Sequence, residues 1–292
     1  MAPATILLTQ GELAITDSLT ITGSGAELLT IDASGNDPTP DENNGDGSRV
    51  FNIDDGDNAL IDVNISNSTL TGGDSPRSGG AISSFENLSV RNSTITGNST
   101  RRAGGGVYAF GTTTIANSTI SGNSADEGGG IYAYATTITE STIAGNSAIS
   151  GGGGGIFSKL TTTISNSTIS SNSASHDGGG IYIDFGTTTI TSSIISNNSA
   201  RDDRGGGIYA SGTIYIIDSM ISGNFAGSTG GGIWGIGDTS ITHSTISGNS
   251  TGWKGGGIYA LGITIITAST ISDNSARLEG GGILAISRFP ST

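Results

Sequence analysis

Apolar and polar positions alternate in short bursts along this chain, and the bursts return at a nearly constant interval. A β-branched anchor preceded by small residues stands at Ile82, Val107, Ile131, Ile156, Ile181, Ile208, Ile233, Ile258 and Ile283. The successive steps are 25, 24, 25, 25, 27, 25, 25 and 25 residues. A fixed period in this range marks a stacked repeat, in which each unit buries its apolar face only against its neighbours. One unit, 128–152, reads GGGIYA, then YATTIT, then ESTIAGNSAISGG. Three short β-prone runs are separated by turn-prone residues, with Ile131, Ile138 and Ile143 as their anchors. The trio returns as Ile156, Ile164 and Ile169, then as Ile181, Ile190 and Ile195. No stretch keeps a helical period. Hairpins are disfavoured, because the turns carry Gly-Asn and not the Asn-Gly of a two-residue hairpin. The pattern predicts an all-β fold: a single-stranded right-handed parallel β-helix with three-strand coils of about 25 residues.

A polar column runs in step with the apolar one. Asn98, Asn123, Asn146, Asn172, Asn198, Asn224, Asn249 and Asn274 each follow an Ile by three residues. Asparagine tolerates left-handed turns, and its amide can bond the equivalent amide one coil away. The expectation is a structural amide ladder that fixes the register of the stack.

Residues 1–60 depart from the repeat but still read as strands, as in Leu19-Thr20-Ile21 and Leu28-Leu29-Thr30-Ile31. They are expected to form irregular N-terminal coils, with regular repeats over 61–292 in one continuous domain. The last unit is followed by no capping pattern, so the chain is expected to be a piece of something longer, with end-to-end self-association through strand edges.

Composition narrows the function. A formal net charge of −14 speaks against nucleic acid, whose phosphates need a basic surface. The chain has no cysteine, hence no disulfides or thiolate metal sites. No apolar run is long enough to span a bilayer, and no signal-peptide pattern opens the chain.

Four features could carry chemistry. First, Tyr108, Tyr132, Phe157, Tyr182, Tyr209, Trp234 and Tyr259 each follow an anchor directly. If the anchor points inward, strand alternation turns these rings outward, either as an exposed ligand-binding stripe or as a ladder stacked on itself. Second, most of the charge gathers at one corner, between Asn-Ser-Ala and Gly-Gly-Gly. There His176 and Asp177 should lie about one strand spacing from Asp202 and Asp203. This cluster offers acid and base candidates for an enzyme, or else a solvated set of ion pairs. Third, the acidic loop from Asn36 to Ser48 holds Asp37, Asp41, Asn43 and Asp46. Its spacing is one residue off a calcium loop, so it reads either as a Ca2+ site or as a disordered solvated loop. Fourth, Thr112 with Thr114, Thr161 with Thr163, and Thr187 with Thr189 would form outward Thr-x-Thr rows, a pattern suited to ice binding that later coils interrupt.

The succession Ile-Ser-Gly-Asn-Ser-Ala and Gly-Gly-Gly-Ile-Tyr resembles the repeat of chlamydial-type polymorphic outer membrane proteins. Those carry a Gly-Gly-Ala-[Ile/Leu/Val] and a Phe-x-x-Asn tetrapeptide. Gly79-Gly80-Ala81-Ile82 matches the first, while elsewhere Gly stands for Ala and Ile for Phe. The layout also resembles bacterial surface proteins with right-handed β-helix repeats. The resemblance implies a secreted or cell-surface β-helix acting as an adhesin or rigid stalk, with a glycan or surface protein as partner. The runner-up is a polysaccharide-active lyase or hydrolase. Against it, the Asn-Thr-Asp, Gly-His-Gly and Arg-Ile-Lys signatures of β-helix hydrolases are missing, and the only lysines are Lys159 and Lys254. An ice-binding solenoid is the third reading.

Overall fold

The computed structural model describes residues 2–40 and 42–286. The chain winds as a right-handed parallel β-solenoid of about eleven turns. Strands pair in parallel with their equivalents in the next coil and form sheets of eleven, nineteen and nine strands. At a strand spacing of about 4.8 Å the stack is on the order of 50 Å long.

One coil shows the plan. Ile156–Ser158 and Thr162–Ser165 both lie on the broad nineteen-stranded sheet, Thr168–Ser170 on the eleven-stranded sheet, and Ser173–Ala174 on the narrow nine-stranded sheet. Two of the three anticipated runs therefore share one sheet. The narrow sheet comes from Ser-Ala pairs that look like turn residues in the sequence. Ser173 pairs with Ser147 and Ser199, and Ala174 with Ala148 and Ala200. The Ala side chains are wholly buried, so two residues per coil suffice to close the third wall.

The anchors fill the interior. Ile131, Ile138 and Ile143 are wholly buried, as are their counterparts in neighbouring coils. One continuous core runs from Leu8 to Ala260. Each buried Ile contributes about 1.5–3 kcal/mol relative to exposure. The N-terminal residues join the same stack: Leu13–Ile15 pairs with Phe51–Ile53, and Leu19–Thr22 with Asp62–Ser66. The inner wall also holds hydroxyls. Thr113, Thr136, Thr162, Thr188 and Thr239 point inward, and their Oγ1 atoms are buried without a hydrogen-bond partner.

The asparagine column forms the expected ladder. Asn172 Nδ2 donates to Asn198 Oδ1 at 3.0 Å and to the Ile143 carbonyl at 2.9 Å. Its Oδ1 accepts from the backbone N–H and the Nδ2 of Asn146, both at 3.0 Å. The left-handed residue of this turn is the one before each Asn, namely Gly97, Gly122, Gly145, Ser171, Asn197, Gly223, Gly248 and Asp273, and not the ladder Asn itself. The triple glycine is shaped by this ladder. Gly153 has φ +71°, and a Cβ on Gly155 would sit 3.0 Å from the Asn172 amide. A second ladder, not anticipated, is built from serine. Ser193 Oγ accepts the Ser167 N–H at 3.1 Å and donates to the Thr191 carbonyl at 2.7 Å, and the motif repeats from Ser93 to Ser244.

Candidate functional site

The aromatic column points out of the solenoid, as strand alternation requires, yet it is not an exposed stripe. Tyr132, Phe157, Tyr209 and Trp234 are buried, and Tyr108, Tyr182 and Tyr259 are half-buried. The coil spacing brings the rings face to face. Centroids are 4.7 Å apart for Tyr132 and Phe157, 4.5 Å for Phe157 and Tyr182, 4.7 Å for Tyr182 and Tyr209, and 4.5 Å for Tyr209 and Trp234. Each interior ring thus has both faces occupied by its neighbours. Burial pushes the phenols of Tyr132, Tyr182 and Tyr209 upward. At the N-terminal end the outer neighbour of Tyr108 is Ser83, which leaves that ring face uncovered by another ring, whereas Leu284 follows Tyr259 at the other end.

Cations lie against this ladder. Lys159 Nζ sits 5.0 Å from the Phe157 ring centroid and 2.8 Å from Asp184 Oδ2. Burial disfavours its charge, but the Asp184 bond and the adjacent Tyr132 outweigh it, so its pKa is raised. The Arg204 guanidinium lies 4.7 Å from the Trp234 ring and 5.4 Å from that of Tyr209. Both cations stay partly in water and lie at the rim of stacked rings, so each contact contributes at most about 0.5–1 kcal/mol.

The corner cluster comes together as the stacking predicts, with a different division of roles. Asp177 is held bidentately by Arg204, with Nε to Oδ1 and Nη2 to Oδ2 both at 3.1 Å, and it also accepts the Arg204 backbone N–H at 3.0 Å. Burial raises its pKa while those bonds pull the other way. His176 Nδ1 is 3.8 Å from Asp203 Oδ2, too long for a hydrogen bond. Asp203 Oδ1 lies 3.3 Å from Arg204 Nε, and Asp202 is exposed. The geometry is that of a clamp: Asp177 fixes the arginine that covers the ladder, with both its oxygens engaged by Arg204.

The described part of the acidic loop is ordered against the body, which corrects the expectation of a disordered loop. Its anchor is Asp74, absent from the sequence reading. Asp74 Oδ2 accepts the N–H groups of Asn44, Gly45 and Asp46 at 3.1, 2.6 and 3.3 Å, and Ser99 donates to its Oδ1. Asp37, Asp46 and Asp74 bring their carboxylates within 4.8 Å of one another. Asp41 lies outside the described residues. Burial raises the Asp37 carboxyl, and the neighbouring Asp46 and Asp74 add to the rise.

The outward threonines Thr114, Thr137, Thr163 and Thr189 do align, and the row is interrupted at Tyr215 and Ile265.

One surface escaped the sequence reading. At the bend of the broad sheet, Phe85, Phe110, Leu160, Phe185 and Ile236 are exposed, Phe185 by 63%. Phe110 and Tyr134 stack at 4.0 Å, and Phe85 and Phe110 at 5.6 Å. The signal available was Phe or Tyr three residues after the anchors Ile82, Val107 and Ile131, masked by Lys159, Asp184 and Ser211 at the later equivalents. This ridge and the charged corner flank the aromatic ladder. Between them lies a series of shallow cavities, about 320 Å³ beside Tyr108 and Phe85 and about 340 Å³ beside Phe157 and Tyr182.

Comparison with known proteins yields two family matches. The model described as "Right handed beta helix region" matches residues 30–192, more than half of the chain. The "Chlamydia polymorphic membrane protein (Chlamydia_PMP) repeat" matches residues 192–211 and 243–261. No curated protein and no solved structure matches.

Proposed function

Since the chain belongs to the right-handed β-helix family, a scaffold that carries many functions, we propose a role that rests on its surface alone: a non-catalytic adhesin or stalk segment of a bacterial cell-surface protein. The repeats similar to those of Chlamydia polymorphic membrane proteins support the surface location. The observation that carries the binding role is the exposed ridge of Phe85, Phe110, Leu160, Phe185 and Ile236, across the aromatic ladder from the charged corner. A row of exposed apolar side chains rimmed by charges is a recognition surface more often than an accident of folding. Its partner is a glycan or a surface protein, laid along the solenoid axis. The interior of the aromatic ladder serves the fold, because its ring faces are occupied.

A glycan array tests this reading. Retained ligands should bind at least about tenfold more weakly to Phe110→Ser/Phe185→Ser, which changes two exposed side chains. The Tyr182→Ala/Tyr209→Ala variant should lose stability first. If the folded chain retains neither glycans nor purified surface proteins, the binding role falls and a passive stalk is left.

A further inference from the structure

The aromatic ladder stops at Tyr108. In the two preceding coils its register positions are Ser83 and Asn52, so two rings are missing from the stack. The space they leave is the cavity of about 320 Å³ that ends the trough, and its walls are unlike the rest of the molecule. Arg49, Arg77 and Arg102 all line it, together with Phe85 and Tyr108, against two carboxylates, Glu12 and Asp54. Three of the chain's nine arginines meet at this one point on a protein of net charge −14. Among the described residues neither Arg77 nor Arg102 makes an ion pair. Arg49 is only 6% exposed. Its Nε lies 2.8 Å from Glu12 Oε2 yet lacks an aligned hydrogen bond, and its Nη1 donates to Asn52 at 3.2 Å. Burial lowers the Arg49 pKa, the Glu12 carboxylate opposes this, and the Arg77 charge adds to the fall.

Guanidinium groups without partners around a cavity are suited to a carboxylate or sulfate, which they grip bidentately. The outer face of Tyr108 is open where the stack ends, and Phe85 stands edge-on to it with centroids 6.2 Å apart and planes at 64°. A six-membered ring fits on that face, in the place of the missing side chain. We propose that the head of the ladder is a binding site for an anionic pyranose, a sugar ring bearing a carboxylate or sulfate. Its ring lies over Ser83 against Tyr108 and its acid group meets Arg77 and Arg102. This deepens the glycan reading above, and on that reading the rest of the glycan continues along the trough. Further along, Lys159 is already paired with Asp184 and Asp177 with Arg204, which leaves Glu127 rather than a cation to meet a second acid group. The anionic unit is therefore a single sugar at this end of an otherwise neutral chain.

Calorimetric titration of the intact protein tests the site. The probes are a glucuronate-terminated disaccharide, its neutral glucose counterpart, sodium sulfate and 4-hydroxybenzoate. The acidic disaccharide should bind at least about tenfold tighter than the neutral one. Arg77→Gln/Arg102→Gln, at two exposed side chains, should remove that preference. Ser83→Tyr should extend the ladder into the cavity and abolish binding, with the circular dichroism of the β-helix unchanged. Equal affinity for acidic and neutral disaccharides, or retention of the preference in the arginine variant, overturns the proposal. Sulfate or 4-hydroxybenzoate binding as tightly as the disaccharide also overturns it, leaving a simple anion or aromatic-acid site. Neutral glycans lost by Phe110→Ser/Phe185→Ser but kept by the arginine variant, with no acidic preference, would sink this site and spare the trough. Arginine-dependent uronate binding with an empty array would do the reverse.

Discussion

The amide ladder makes a quantitative prediction at its centre. Asn172 is buried and uses all four of its amide hydrogen-bonding positions: two donated from Nδ2 and two accepted at Oδ1, at 2.9–3.0 Å. Asn172→Asp keeps the shape and the accepting oxygen. It puts a second oxygen where Asn198 Oδ1 and the Ile143 carbonyl expect a donor. An ionised carboxylate there faces two acceptors in a dry interior, so the group protonates instead. Holding an aspartate neutral at pH 7, against an unfolded-state pKa of about 3.9, costs about 4 kcal/mol. The one remaining O–H serves only one of the two acceptors, and the unmade bond adds about 1 kcal/mol. The substitution should therefore cost about 5 kcal/mol at pH 7. Its folded pKa is raised, so the native state binds the extra proton, and the penalty must shrink as pH falls toward the unfolded pKa. Near pH 4 about 1–2 kcal/mol should remain. Asn172→Ala leaves the Asn146 N–H without its acceptor and should cost about 2–4 kcal/mol at both pH values. Guanidinium unfolding followed by circular dichroism at pH 4 and pH 7, each variant against the parent, measures the differences. An aspartate penalty below about 2 kcal/mol at pH 7, or one that does not move with pH, would refute the buried ladder.

Three further substitutions probe other columns. Thr188→Val exchanges a buried, unpartnered hydroxyl for a methyl at a register position where the next coil already carries Ile214. It should stabilise the chain by about 1 kcal/mol, read as a higher denaturation midpoint, whereas a loss would mean the hydroxyl has a partner. Glu140 adopts φ +49° at a turn where Asn92, Asn117 and Asn166 stand in other coils, so Glu140→Asn should add about 0.5–1 kcal/mol in the same assay. Asp37→Asn removes a carboxylate whose pKa is raised by burial and by Asp46 and Asp74 while keeping an acceptor for the Thr39 N–H. A raised acid pKa withdraws stability as pH climbs through it, so the variant should melt higher than the parent at pH 7 and lose that advantage below the carboxylate range. A constant difference across pH would assign the effect to packing.

The columns that stack on themselves were legible in the sequence because each position sees copies of itself. Ile143 touches Ile169, and Asn172 bonds Asn146 and Asn198, so the same residue type returns at the same step. The serine ladder obeys the same rule, with Ser141, Ser167 and Ser193 returning at the step of the coil. What could not be read was set across the coil or by distance in the chain. Asp74 joins Asp37 and Asp46 only because one coil lies on the next. Outward orientation of the aromatic residues followed correctly from alternation, but outward did not mean exposed. Rings 4.5–4.7 Å apart shield one another, and Lys159 and Arg204 cover their edges. The exposed ridge shows the opposite case. Its residues face solvent, so no neighbour imposes one type, and Phe110 or Tyr134 in one coil gives way to Lys159 or Ser211 in another.

That contrast bears on where function can reside. A position bound into a ladder is penalised for any departure, because two neighbours lose their partner at once. Ser83 and Asn52 depart from the aromatic register, and at Ser83 this forfeits stacking on Tyr108, worth about 0.5–1.5 kcal/mol for an aromatic pair. Arg49 and Asn52 have a structural account, since Arg49 pairs with Glu12 and donates to Asn52. Ser83, Arg77 and Arg102 have none: Ser83 leaves Tyr108 unstacked, Arg77 lowers the pKa of Arg49, and among the described residues neither Arg77 nor Arg102 has an ion-pair partner. Folding alone gives no reason to place these three together. A ligand that supplies both the missing ring and a negative charge does.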